Sequence, residues 1–284
     1  MISDAAGGPG PAAIGQLPRI AGSTYLNSAP LCFSFQRGEQ SRRCHFLGHT
    51  APARCAEMLA RGEAEAALIP VIEYQRMVGV RVVPDIAVAS KRTVESVVLA
   101  ARVPIEAVNS VAVDTSSRTT AALIQIIFRQ FYGRAPRFTP CAPSLADMLE
   151  TNDAAIIIGD PAMMIDRAAL RVYDMAAEWR KHTGLPFVFA FWAVRTDAAH
   201  RLATVDFAAA KAEGLARRAE LAAEFSAELK QPPEALLTYL TENINYELDE
   251  ENLAGLQLYY RLAHDCGLIP AARELEFLPR IGNE

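Results

Sequence analysis

Short, wholly apolar blocks alternate along the chain with longer stretches in which apolar residues recur every three or four positions. Residues 19–23, 66–69, 86–89, 96–102, 111–114, 154–158 and 187–194 are blocks of strand length, apolar enough for a sheet covered on both faces. Residues 44–47 and 136–139 add two weaker strand candidates. Between them, 51–61 carries a helical period, and Gly62 stands where that helix would end. Pro70 opens a helical turn running to Tyr74. Residues 115–133 (TSSRTTAALIQIIFRQFYG) keep a helical period, with several N-cap candidates at the start and Gly133 at the end. Residues 144–150 and 174–183 read as helices. Beyond Thr196 the pattern is wholly helical, with breaks near Pro232 and around Leu248. Strands separated by helices predict a parallel α/β sheet rather than a sandwich.

The 284 residues allow one large domain or two lobes with a sizeable core. At 51% hydrophobic and 21% charged residues, the composition excludes wholesale disorder, a collagen-like repeat and a coiled coil. No apolar run reaches the ~20 residues of a bilayer-spanning helix, so no membrane partner is expected. Lys and Arg number 28 against 33 Asp and Glu, with no concentrated basic face, so no nucleic-acid partner is expected either. Residues 1–18 (MISDAAGGPGPAAIGQLP) read as a flexible leader without a secretory apolar core, which predicts a cytoplasmic protein. The five cysteines are scattered without a CxxC pair and read as small core residues in a reducing compartment. His45 and His49 have the spacing of a helical metal pair, but 44–47 reads as a strand, so no metal is expected. There is no GxGxxG, no GxxxxGK[ST] and no GxSxG, which weakens dinucleotide, nucleoside-triphosphate and serine-hydrolase readings.

Five segments could carry chemistry. In 114–122 (DTSSRTTAA) a strand gives way to a helix, and the hydroxyls of Thr115, Ser116, Ser117, Thr119 and Thr120 crowd the start. Unpaired N–H groups, the helix dipole and the Arg118 fork suit a carboxylate or phosphate there. Plain N-capping is the alternative. In 24–30 (TYLNSAP), Asn27 can donate and accept hydrogen bonds, or can form an ordinary Asx turn. In 89–96 (ASKRTVES), Ser90 and Ser96 border an apolar strand. In 158–161 (IGDP), Asp160 could orient a ligand hydroxyl or a hinge amide, or simply form the turn. In 183–195 (TGLPFVFAFWAVR), aromatic residues could wall a pocket or fill a buried strand.

The series TYLNSAP, AALIPVIEY, PDIAVAS, DTSSRTTAAL, IGDPAM and EWRKHTGLPFVFAFWAVR resembles, in order and separation, the chorismate dehydratases of the futalosine route to menaquinone. The resemblance runs from about Arg19 to Arg195 and continues more weakly into the helical tail. It implies an α/β, two-lobed type II periplasmic-binding-protein fold with a cleft between the lobes and a helical C-terminal part. Carried onto this chain, lobe one would hold 19–103 and 191–284, and lobe two 104–190, after the 1–18 leader. It also implies a hydro-lyase that dehydrates chorismate to 3-[(1-carboxyvinyl)oxy]benzoate without a cofactor. The substrate's own enolpyruvyl carboxylate would serve as base. Asn27 and Ser96 would then be the catalytic positioning pair, and Ser116, Ser117, Arg118 and Thr119 would clamp a carboxylate, with Asp160 also at the substrate. Lys91, Arg92 and Thr93 stand where that family often has small residues or Gly-Pro.

Two alternatives share the fold. One is a non-enzymatic receptor for a small anion, which usually carries a secretory signal or a lipoprotein Cys. The other resembles the sister 1,4-dihydroxy-6-naphthoate synthase, which relies on a His, whereas of the five histidines here only His182 falls in a matched motif. A ligand-sensing domain of a transcription factor would need a helix-turn-helix ahead of it.

Overall fold

A computed structural model describes residues 17–279, so all but the last two residues of the expected 1–18 leader lie outside the described residues. Along the chain run β1 (Arg19–Ser23), α1 (Ala29–Arg37), β2 (His45–His49), α2 (Pro52–Ala60), β3 (Ala66–Pro70), α3 (Val71–Tyr74) and β4 (Val80–Ser90). There follow β5 (Val97–Ala101), β6 (Ser110–Asp114), α4 (Arg118–Ile126), β7 (Arg137–Cys141), α5 (Leu145–Glu150), β8 (Ala154–Ile158), α6 (Asp160–Met163), β9 (Arg171–Asp174) and α7 (Met175–Thr183). The chain ends with β10 (Phe187–Arg195), α8 (Phe207–Ala216), α9 (Arg218–Leu229), α10 (Pro233–Thr238) and α11 (Glu250–Asp265).

The strands form two five-stranded sheets, ordered β2-β1-β3-β10-β4 and β7-β6-β8-β5-β9. Each is parallel on one side, β1 with β2 and β3, β6 with β7 and β8. Each is antiparallel on the other, β10 with β3 and β4, β5 with β8 and β9. The expected purely parallel arrangement is therefore corrected to a mixed one. The reason is topological: the chain passes directly from β4 into β5 of the other sheet, instead of looping back through a helix to a parallel neighbour. The expected lobe boundary at 103/104 moves accordingly to the segment between Ser90 and Val97, because β5 hydrogen-bonds to β8 and β9. The return falls between Asp174 and Phe187 rather than at 190/191, because Phe187 already pairs with Ser90.

Strand β4 is longer than its apolar block. Pro84 and Asp85 interrupt the pattern, and Asp85 takes φ 63°. The ladder with β10 absorbs the irregularity through register shifts between Val188 and Ala190 and between Phe191 and Ala193. The tail is not wholly helical either. Residues 268–279 run without a helix, and Val82 exchanges backbone hydrogen bonds with Glu276 (2.8 Å) and Leu278 (2.9 Å). That stretch gives β4 a partner on its outer edge.

Aromatic edges join the helices to the first sheet. Trp192 of β10 meets Phe35 of α1 and Phe207 of α8, each with ring centroids 5.4 Å away. Trp179 of α7 and Tyr259 of α11 both pack on Phe187. Cys32, Cys44 and Cys55 are buried in this core, and Cys141 and Cys266 are half-buried; all five are free thiols. His45 and His49 lie on β2, and four residues along a strand is about 13 Å, too far to share a metal. Among the described residues no helix is long and apolar enough to cross a membrane.

Helix α8 crosses α1 at Gly214, where a Cβ would lie 1.7 Å from the Pro30 carbonyl oxygen. Gly214→Ala must push α8 away from the start of α1. Overpacking of this kind costs about 1–3 kcal/mol. At roughly 2–4 °C per kcal/mol, calorimetry should show Tm lowered by several degrees. An unchanged Tm would mean that the helices do not meet this closely.

Candidate active site

Three turns follow the C-terminal ends of parallel strands and converge: 24–28 after β1, 115–117 after β6, and Gly159–Asp160 after β8. Open α/β sheets leave a crevice at such strand ends. Here the crevice between the two sheets is a narrow cavity of about 50 Å³. Tyr25, Asn27 and Ser28 form one polar wall, and Ser117, Thr119 and Thr120 face them. Leu68, Val88, Val97 and Phe189 give the cleft an apolar floor.

The electropositive wall is the start of α4. Its first-turn N–H groups have no intrahelical acceptor. No side chain caps them, and no acidic residue stands in the first turn. Ser117 holds the N-cap position with its hydroxyl unbonded to the helix. The Thr119 hydroxyl donates to the Phe189 carbonyl (3.3 Å) and accepts from the Ile72 N–H (3.4 Å), which ties this helix end to the first sheet. Behind the turn, Asp114 accepts the Ser116 N–H at 2.7 Å. Its second oxygen and the Ser116 hydroxyl are buried without partners among the described residues. Burial pushes the Asp114 carboxyl up, against the pull of the Ser116 N–H.

On the opposite wall, Asn27 is half-buried and accepts from the Ser28 hydroxyl at 2.9 Å, so its NH2 group is available to the cleft. Tyr25 lays its ring against Gly159. Burial, then the charges of Asp114 and Asp160, push the Tyr25 phenol up to about 12, so it remains a proton donor near neutrality.

The other expected site residues lie elsewhere. Ser96 is fully buried behind the wall, one position before Val97 of the floor. Its hydroxyl accepts from the Tyr239 hydroxyl at 2.6 Å. Asp160 is turned to the Leu26 amide and accepts its N–H at 2.9 Å. Arg118 is not an open fork. Its guanidinium donates to Glu73 of α3 and Glu57 of α2, both at 2.7 Å. The sequence therefore brought Asn27, Ser117 and Thr119 to one cleft, with Ser96, Ser116, Arg118 and Asp160 around it. It missed Tyr25, although that residue stands two positions before Asn27 in the same turn. It also missed Tyr239, for which no local signal exists, since its partner Ser96 is 143 positions away. Among the described residues no group of three His, Cys, Asp or Glu could hold a metal ion.

Two sheets joined by chain crossovers, with a cleft between them, define a protein of the periplasmic-binding-protein fold. A model of the family described as "Menaquinone biosynthesis" matches residues 18–265. The chain belongs to this menaquinone-biosynthesis family. It is 31% identical over 256 residues to a chorismate dehydratase of Thermus thermophilus, across 83% of this chain and 91% of that protein. Protein AF1704 from Archaeoglobus fulgidus is similar in structure, with a TM-score of 0.70 at 18% identity, over 89% of this chain and 98% of that one. The alkanesulfonate-binding protein SsuA from Xanthomonas axonopodis pv. citri, bound to MOPS, gives a TM-score of 0.64 at 14% identity, over 92% and 96%. These two likenesses bear on the fold alone.

Arg118→Ala would leave the buried Glu73 carboxylate with Arg76 as its remaining salt-bridge partner. Stranding a charged acceptor costs about 1–3 kcal/mol. The denaturant midpoint should fall accordingly, and Glu73→Gln added to Arg118→Ala should recover part of the loss. Equal midpoints for the wild type and Arg118→Ala would show that the pair contributes nothing.

Proposed function

We propose that this chain is a hydro-lyase that converts chorismate to 3-[(1-carboxyvinyl)oxy]benzoate and water. The observation that carries the reading is the uncapped start of α4, which opens into the same cleft as the Asn27 amide. A substrate with two carboxylates and an apolar ring suits such a cleft: N–H and hydroxyl donors on one wall, an amide and a phenol on the other, an apolar floor between. The chorismate dehydratase of Thermus thermophilus supports the same choice of substrate.

In the proposed reaction the C–H bond breaks at the ring carbon bearing the ether. Its electron pair forms a ring double bond, and the C–O bond to the neighbouring hydroxyl breaks. The proton leaves with that hydroxyl as water. Aromatisation drives the step. The substrate's side-chain carboxylate takes the proton first, so the protein needs to hold it against the ring rather than supply a base. That is positional catalysis, in which a misplacement of ~1 Å can cost ~100-fold in rate. Asn27 orients the substrate, and Ser96 acts from behind by fixing Val97 and its neighbours. The first-turn N–H groups of α4 and the Ser117 hydroxyl form the carboxylate clamp; Thr119 ties that helix end to the first sheet, and Arg118 holds α4 in place through α2 and α3. The two lobes, divided near 90–97 and 174–187, would each supply one wall of the cleft.

Incubation with chorismate should yield the carboxyvinyloxy benzoate by mass spectrometry. Tight binding of unconverted chorismate would instead point to a receptor. Asn27→Ala should lower kcat by about 100-fold while KM changes less. Asn27 does not titrate near neutrality, so no limb of the pH profile belongs to its own ionisation. A chorismate analogue lacking the side-chain carboxylate should bind and remain unconverted. Dehydration of that analogue at the chorismate rate would require a base from the protein.

A further inference from the structure

One two-residue turn touches both halves of the proposed machinery. Gly159 takes φ 67° and ψ −152°, a conformation open to glycine. Its N–H donates to the Ser96 carbonyl at 2.7 Å. Its α-carbon lies beneath Tyr25, and a Cβ there would be 2.5 Å from the ring. Asp160, the next residue, accepts the Leu26 N–H at 2.9 Å in a buried bond. Leu26 precedes Asn27, and Ser96 precedes Val97 of the floor. The turn thus fixes the first loop from one sheet and the start of β5 from the other.

We propose that Asp160 is a positioning residue, which holds Asn27 in the cleft by anchoring the Leu26 amide, and holds it most firmly as the ionised carboxylate. The proposal rests on the dehydratase reading for its catalytic consequence, and on the Leu26 bond alone for its structural one. Hydrogen bonds to an ionised acceptor are shorter and roughly twice as strong as neutral ones. A protonated Asp160 would leave the loop on a weaker tether.

The surroundings set where this matters. Burial pushes the Asp160 carboxyl up to about 6; the Leu26 bond opposes the shift and the Glu228 charge adds to it. The groups facing it are Tyr25 from the first loop, Glu228 from α9, and Tyr239 from the turn after α10. Both phenols are pushed up, first by burial, and stay protonated across the acidic range. The sign for stability is opposite to that for the tether. A carboxyl raised from 3.8 to about 6 favours the protonated fold, so this group's penalty grows as pH rises through that window. Acid therefore does not unfold the protein through Asp160, and loss of turnover near pH 6 would report the loosened loop.

The test compares the wild type with Asp160→Asn, Asp160→Ala and Glu228→Gln. Wild-type kcat should fall as pH drops through about 6, with KM nearly unchanged. Asp160→Asn keeps a neutral acceptor for Leu26, so it should show about tenfold lower kcat at pH 7.5 and no acidic limb near 6. Asp160→Ala should lose about 100-fold. Glu228→Gln should shift the limb to lower pH and leave the plateau alone. Amide hydrogen exchange of Leu26 and Asn27, measured without substrate, should accelerate in both Asp160 variants while the strands keep their protection. Unchanged exchange at Leu26, or an Asp160→Asn enzyme with wild-type kcat and limb, overturns the proposal. If the wild type leaves chorismate unconverted, the dehydratase reading fails, and the exchange measurement still decides whether Asp160 holds the loop.

Discussion

The first-turn N–H groups of α4 need an acceptor, and no side chain among the described residues caps them. A nearby carboxylate would be the ordinary remedy, yet Asp114 is turned to Ser116, and Glu57 and Glu73 are held by Arg118. This withholding depends on three elements at once. Helices α2 and α3 carry the two glutamates of the first sheet's side, and α4 carries the arginine of the other. Pairing them keeps the acidic side chains out of the cleft and leaves the helix dipole as the positive feature within it. The same pairing joins elements of the two sheets beside the crevice, so the start of α4 and the contact between the sheets share one set of charges.

The site also gives up stability. A buried carboxylate oxygen and a buried hydroxyl without partners, on Asp114 and Ser116, each forgo a bond that folding normally supplies. Each such group costs about 1–3 kcal/mol. The dense aromatic packing around Trp192 and Trp179 lies away from this edge and can bear the cost. A rigid core thus supports a strand-end region with unmet bonding capacity, the usual distribution between scaffold and binding surface.

Most strands were legible because a block such as AAIII or VVLAA fits few other roles. The parallel pairing of β1 with β3 and of β6 with β8 followed from helices between them. Strand β9 was not legible: RVYD is short, largely polar and only half-buried, and it belongs to the sheet through β5 alone. The direction of β10 was equally hidden, since an apolar run buried on both faces reads the same either way. At the site, the hydroxyl-rich start of α4 announced itself by local chemistry. The fate of Arg118 did not, because its partners stand 45 and 61 positions away and look like ordinary helix-surface glutamates. The turn 158–161 marks Asp160 as a residue for a ligand hydroxyl or a hinge amide; which of them it faces is decided 134 positions upstream.

The return of β10 to the first sheet has a consequence for how the chain assembles. The second sheet draws all its strands from 97–174, so its partners are close in sequence and can meet early. The first sheet needs β10 between β3 and β4, across a gap that spans the whole second sheet. Contacts of such sequence separation form slowly, since chain entropy is lost before they reward it. During synthesis the second sheet can therefore close while β3 and β4 still wait, with exposed edges, for their central neighbour to leave the ribosome. A chaperone or a rare-codon pause would act most usefully on that interval, before residue 195 emerges.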